Sequence, residues 1–212
     1  MEVIQLVFNA FGENTYIVAD ISSRECAIID PGMSDKREQT AFIQAIERNH
    51  LKPVHLINTH LHIDHVLGNK FIASNYGLTI EANNEDAFLG SRIVEQARMF
   101  GLPGDADNCA IETFLNDGDE IRIGNSLLKV LGVPGHSPGS IALYDKDSHF
   151  VITGDALFAG SIGRTDLPGG DYATLIGSIT QKLMKLPEDT IVYPGHGPAT
   201  TIGKEKTQNP YL

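Results

Sequence analysis

Residues 59–65 read Thr-His-Leu-His-Ile-Asp-His, which puts four metal-type side chains, His60, His62, Asp64 and His65, within six positions. The chain has eight histidines in 212 residues, so three in one short stretch is a strong bias. Crowding imidazoles against a carboxylate in a folded protein is costly unless something pairs with them. A metal ion is the partner that suits all four, so the fold has to present this segment on a rigid edge. In an extended segment the side-chain period is two, so His60, His62 and Asp64 would share one face while His65 points elsewhere. That geometry suits two metals side by side better than one.

Three later segments repeat a related pattern, an apolar strand that runs into a turn and exposes a metal-type residue. LKVLGVPGHSPGS presents His136, HFVITGDALF presents Asp155 and TIVYPGHGPAT presents His196. Glycine next to each one suits a tight turn or a close backbone approach. PVHLINT, a buried-strand candidate, delivers the chain into the histidine cluster in the same way. All these residues thus sit at the C-terminal ends of predicted strands, where a scaffold can converge them. His50, His55 and His149 lack this setting and read as surface or hydrogen-bonded histidines.

The donors then number five imidazoles and two carboxylates. A catalytic zinc takes about three protein ligands and keeps one position open, so seven donors suit two ions with one carboxylate bridging. Nitrogen and oxygen donors without thiolate fit zinc first, with iron or manganese able to use the same set. Two such ions can share a hydroxide formed near pH 7.

The rest of the chain supports a layered scaffold. VIQLVFN, NTYIVAD and ECAIID read as strands between turn residues. A helix is expected after Pro31-Gly32, with Ser34 or Asp35 as N-cap and Phe42, Ile43 and Ile46 as its apolar stripe. LGNKFIASNYG reads as a short helix ending at Gly77, residues 84–101 as a helix closed by Gly101, and 171–186 as an amphipathic helix. Strand-like patterns return over 119–132, 140–153 and in TIVYPGH. This order is no clean βαβ array, so a doubly wound parallel sheet fits poorly, and two β-rich layers covered by helices fit better. Residues 1–212 read as one domain.

Composition narrows the function classes. A net charge of −11 makes nucleic acid a poor partner. No apolar run is long enough to span a bilayer, and the N-terminus lacks the basic and apolar regions of a signal peptide. The two cysteines, Cys26 and Cys109, match no metal or redox spacing and read as buried apolar fillers in a reducing cytoplasm.

THLHIDH resembles the H-x-H-x-D-H motif of the metallo-β-lactamase superfamily, and His136, Asp155 and His196 follow in that family's order and surroundings. The resemblance covers essentially the whole chain. It implies an α/β fold in which two mixed β-sheets flanked by helices form an αββα sandwich, the metallo-β-lactamase fold, with a dinuclear site at one edge of the sheets. It further implies that His60, His62 and His136 hold one metal, that Asp64, His65 and His196 hold the other, and that Asp155 bridges them. Asp64 would also orient the hydroxide, which makes Asp64 and Asp155 the expected catalytic carboxylates. GDALFAGSIGRTDLPGGD and PGHGPATTIGKEKTQNPYL resemble the short glyoxalase II-like thioesterases, which hydrolyse acyl-glutathione thioesters such as S-lactoylglutathione. The implied partner is a small-molecule thioester, with no nucleic acid and no membrane.

Arg164 falls where the longer enzymes carry a basic residue that contacts glutathione, and is the expected substrate-binding residue. Its alternative role is structural, paired with Asp166 or Asp171. The tyrosine the family pattern expects two residues after the arginine is Asp166 here. The same motifs also resemble the mononuclear-iron persulfide dioxygenases, which share the GRTD segment. Lactonase and phosphodiesterase activities use the same scaffold, because the nucleophile is generic and the pocket sets the substrate.

Overall fold

The computed structural model describes residues 1–102 and 106–212. Two six-stranded sheets form its centre. The first holds β1 (Glu2–Phe8), β2 (Glu13–Ala19), β3 (Glu25–Ile29), β4 (Lys52–Ile57), β5 (Ile80–Ala82) and β6 (Thr113–Phe114), side by side in chain order. β1, β2 and β3 pair antiparallel, and β3 to β6 pair parallel. The second sheet comprises β7 (Glu120–Ile123), β8 (Ser126–Gly132), β9 (Ile141–Asp145), β10 (Phe150–Gly154), β13 (Ile191–Pro194) and β14 (Thr200–Thr201). It is antiparallel except where β10 runs parallel to β13. A small hairpin of β11 (Leu157–Phe158) and β12 (Ser161–Ile162) follows β10.

Alternation along the strands creates the layers. In β2, Tyr16 and Val18 face the second sheet while Ile17 and Ala19 face outward, as the period of two requires. In β10, Phe150 and Ile152 face inward and Val151 outward. The inner core joins Ile29 and Ile57 of the first sheet to Ile123, Leu128, Val130 and Leu143 of the second. On the outer face of the first sheet, Ile17, Ile28 and Leu56 pack against Phe42 and Ile46 of α1 (Lys36–Arg48) and Ile72 of α2 (Asn69–Tyr76). On the outer face of the second, Val151 and Val192 pack against Leu175 and Ile179 of α5 (Tyr172–Gln181) and Ile202 of α6 (Ile202–Gln208). The result is helices, sheet, sheet, helices, which is the expected αββα sandwich.

Asp35 is the N-cap of α1, its side chain accepting from Glu38 N, and Gly77 ends α2 in the left-handed region. The 84–101 segment differs from the single helix read from its pattern. It divides into a 3-10 turn at Asn84–Asp86, α3 (Ala87–Gly90) and α4 (Ile93–Met99). The break is enforced at Gly90, whose carbonyl accepts from Cys109 N and where a Cβ would press on Cys109 O and Leu61. The 171–186 helix likewise stops at Gln181 and continues as a 3-10 turn over Leu183–Lys185. β14 and α6 lie in a stretch whose sequence pattern had shown no element. Cys26 and Cys109 are free and buried. Among the described residues no helix is long and apolar enough to cross a membrane.

Candidate metal centre

All seven proposed donors converge where the C-terminal ends of β4, β8, β10 and β13 meet. The THLHIDH segment is not extended throughout. Ile63–His65 forms a 3-10 turn, and this corrects the period-two expectation. The turn rotates Asp64 away from His60 and His62 and brings it together with His65, which therefore joins the centre and is fully buried.

Two trios result. His60, His62 and His136 have donor atoms within 4.8 Å of one another, as do Asp64, His65 and His196. His62 Nδ1 lies 2.8 Å from His136 Nε2. In the second trio His196 Nε2 is 3.1 Å from Asp64 Oδ2, and His65 Nε2 is 3.7 Å from the same oxygen. Asp155 touches both. Its Oδ2 lies 3.6 Å from His136 Nε2 in one trio and 3.7 Å from His196 Nε2 in the other, and its Oδ1 is 3.4 Å from His65 Nε2.

Three of the rings are held by their far nitrogen. His60 Nδ1 is 3.1 Å from Thr59 Oγ1, His65 Nδ1 is 3.1 Å from Asp30 Oδ2, and His136 Nδ1 is 2.7 Å from the carbonyl oxygen of Arg164. A proton on each Nδ1 leaves Nε2 as a lone pair, the arrangement of a metal-ligating imidazole. The buried Nε2 atoms of His60 and His65, and Asp155 Oδ1, have no hydrogen-bond partner. Each such orphan costs roughly 1–3 kcal/mol or more. A cluster of them facing matched donors is accounted for by divalent ions, so this site fits the metals its donor chemistry implies.

The electrostatics agree. Burial, helped by neighbouring imidazoles, pushes the His60 pKa well down and that of His62 to about 3, keeping both rings neutral. Burial also opposes charge on His65 and His196, but the carboxylates of Asp64 and Asp155 outweigh it and raise both. Those imidazoles in turn overcome burial to hold Asp64 and Asp155 below the usual carboxylate range. Positive charge is favoured at the Asp64–Asp155 side even without metal.

Two glycines permit the approach. Gly195 leaves room for Asp155, since a Cβ there would overlap Asp155 Oδ1 and press on the His65 ring. Gly135, at φ +133°, sits against the backbone of Leu175 at the start of α5 and turns the chain towards His136.

Two functional carboxylates escaped the sequence reading. Asp30, which ends the ECAIID strand, accepts from Thr59 N at 2.7 Å and Thr59 Oγ1 at 2.6 Å besides facing His65. Its setting, an apolar strand running into a Pro-Gly turn, is the pattern that marked the other donors and could have found it. Asp86 is fully buried and accepts from Leu61 N at 3.1 Å, Ser137 Oγ at 2.8 Å and Gly139 N at 2.7 Å. It ties the loop of His60 and His62 to the loop of His136. Arg164 is exposed, and its guanidinium is paired with Asp166 through two 2.7 Å contacts, as the structural alternative expected, while Asp171 caps α5 instead. His55 pairs with Glu81 and His149 with Asp189, both outside the centre.

A cavity of about 400 Å3 opens onto the two trios. His62, Asp64, His136, Asp155 and His196 form its floor, and Arg92 and Arg164 stand on its wall.

A four-layer sandwich with this donor set at its edge defines a metallohydrolase architecture. The profile of the metallo-beta-lactamase superfamily matches residues 9–196, and the chain belongs to that superfamily. It is 39% identical, over 100% of its own length and 98% of the relative's, to the hydroxyacylglutathione hydrolase GloC of Haemophilus influenzae. Among solved structures, TTHA1623 in a di-iron-bound form is similar at 34% identity and TM-score 0.87, covering 99% of this chain and 100% of that one. BLEG-1 B3 metallo-beta-lactamase is similar at 33% identity and TM-score 0.87, over 100% and 99%. ETHE1 from Myxococcus xanthus is similar at 28% identity and TM-score 0.81, over 99% and 84%.

Proposed function

We propose that this metallohydrolase is a dinuclear thioesterase acting on acyl-glutathione-type thioesters, with S-lactoylglutathione cleaved to lactate and glutathione as the reference reaction. The observation that carries the dinuclear part is Asp155, whose two oxygens lie 3.4–3.7 Å from imidazoles of both trios. The full-length likeness to a hydroxyacylglutathione hydrolase supports the substrate class.

His60, His62 and His136 would hold one ion, Asp64, His65 and His196 the other, and Asp155 both. Zinc is the favoured metal, and iron or manganese would use the same nitrogen and oxygen donors. When bound, such a pair of ions ionises water near neutral pH and polarises a carbonyl oxygen. The protein's part is positional. Asp30 and Thr59 fix the His65 and His60 rings, the Arg164 carbonyl fixes His136, and Asp64 orients the attacking water beside His196. Asp64 and Asp155 stay ionised, so either could accept the hydrogen bond that turns the nucleophile's one remaining proton away from its attacking lone pair. The leaving thiol has a pKa of about 8.5, so the thiolate departs without a dedicated general acid. The free, buried cysteines suit a reducing cytoplasm as the place of action.

The test is a hydrolysis panel of acyl-thiol, lactone and β-lactam substrates, with metal content measured on the same sample. Turnover of thioesters with two ions per chain is the expected result. Turnover of lactams or lactones alone refutes the thioesterase reading. The likeness to ETHE1 favours a second reading, the mononuclear-iron persulfide dioxygenase that the sequence motifs also resemble. One iron per chain and oxygen uptake with glutathione persulfide would establish that reading instead.

A further inference from the structure

The wall of the cavity is unlike its floor. Above the donors stand Phe11 from the turn between β1 and β2, Phe88 from α3, and Met99 and Phe100 from the end of α4. These are large apolar side chains left open to solvent: Met99 is 77% exposed, Phe100 55%, Phe11 39% and Phe88 38%. Phe11 and Phe100 come from distant parts of the chain, yet their rings meet edge to face at 5.6 Å, closing one side of the mouth. Contiguous apolar surface on a soluble protein marks a contact site, and this surface is continuous with the proposed catalytic floor.

The mouth also holds a free cation. Arg164 is occupied by Asp166, but the guanidinium of Arg92 has no hydrogen-bond or ion-pair partner among the described residues. On a chain of net charge −11, an unpaired arginine at the entrance favours an anionic ligand.

A lactoyl group is small and carries a hydroxyl, so it makes no use of four exposed apolar side chains. We propose that the cavity selects thioesters with an extended apolar acyl chain over short hydroxyacyl ones. The chain lies on the collar of Phe11, Phe88, Met99 and Phe100, and Arg92 meets a carboxylate of the thiol carrier. This rests on the thioesterase reading for the reaction, but the selectivity is a binding property and can be measured without turnover.

The experiment uses zinc-reconstituted full-length protein and two non-hydrolysable thioethers, S-methylglutathione and S-hexylglutathione, titrated calorimetrically. The hexyl compound is expected to bind at least tenfold more tightly. The double variant Met99→Ser/Phe100→Ser should shrink that ratio below threefold, whereas Ile21→Ser, an exposed apolar residue away from the cavity, should preserve it. Arg92→Gln should weaken both compounds by a similar factor, about tenfold. Because all these side chains are exposed, circular dichroism and metal content of each variant serve as folding controls. Equal affinity for the two thioethers, binding of neither, or a hexyl advantage that survives the double variant overturns the collar. Unchanged affinities in Arg92→Gln overturn the role of the arginine. A wild-type dimer that becomes monomeric in the double variant, with no chain-length effect, assigns the collar to self-association and also overturns the proposal. S-lactoyl- and S-hexanoylglutathione are assayed in parallel. Hydrolysis of neither, with the hexyl advantage intact, refutes the reaction and leaves the selectivity standing.

Discussion

Asp30 Oδ2 lies 3.1 Å from His65 Nδ1, with both side chains buried. The same carboxylate takes the backbone and hydroxyl protons of Thr59. Thr59 Oγ1 is in turn the partner of His60 Nδ1, so one acid orients a ring in each trio. Asp30→Asn replaces an acceptor oxygen by an amide that must donate into the same pocket. Outer-shell changes of this kind typically cost 10–100-fold in metal affinity. Chelator competition on Asp30→Asn should show a loss in that range, and unchanged affinity would refute the orienting role.

The metal-free protein should be most stable near neutral pH. His65 and His196 have raised pKa values, so their contribution is complete below the ordinary value of 6.5 and is lost as pH rises through the raised ones. His60 and His62 act in the opposite sense. With His62 held at about 3, the unfolded chain binds protons that the native state refuses, and stability falls as pH drops below 6.5. Thermal melts of metal-stripped protein from pH 4 to 9 should therefore peak at roughly pH 6.5. Metal needs His65 and His196 deprotonated, so the rise in Tm on adding zinc should grow with pH. A zinc effect that is flat or decreasing with pH would contradict the assignment.

Asp86→Ala should destabilise the protein by about 2–4 kcal/mol, because it orphans the buried Leu61 and Gly139 amides together. Urea unfolding reads the loss. Zinc affinity should fall as well, since Leu61 lies between His60 and His62 while Ser137 and Gly139 follow His136. A stability loss without any change in zinc affinity would confine Asp86 to packing.

Gly195→Ala places a methyl group on Asp155 Oδ1 and His65. Displacing a carboxylate proposed to serve both trios should lower metal content from two ions to one or none, with circular dichroism unchanged. Full metal content in this variant would argue against the bridge.

Leu128→Ala empties a fully buried position between the sheets and should cost about 2–5 kcal/mol in chemical denaturation. A loss under 1 kcal/mol would mean that the inner layer collapses around the gap.

Much of this was legible in the sequence, and what was missed has identifiable causes. β2 and β10 announced themselves because their short, near-continuous apolar runs between turn residues suit strands buried on both faces, as Tyr16, Ile17, Val18, Phe150, Val151 and Ile152 are. The seven donors stood out because each follows an apolar strand. The period-two reading, which faced Asp64 with His60 and His62, failed because a three-residue 3-10 turn leaves no periodic trace in so short a segment, whereas the family resemblance had already grouped Asp64 with His65 and His196. The break at Gly90 was invisible for another reason: it depends on Cys109, which is nineteen positions away. Asp30 went unnoticed beside a Pro-Gly turn that explained it too easily, and α6 is too short and polar for its apolar face to register.

The two trios draw on both ends of the polypeptide. Asp64 and His65 come early, but their third member, His196, is delivered only by β13, late in the chain. A growing chain on the ribosome has His60 and His62 long before it has His136 or His196. A donor set that joins the early residues to His196 therefore exists only once β13 has docked beside β10. Completion of the site is thus tied to completion of the fold.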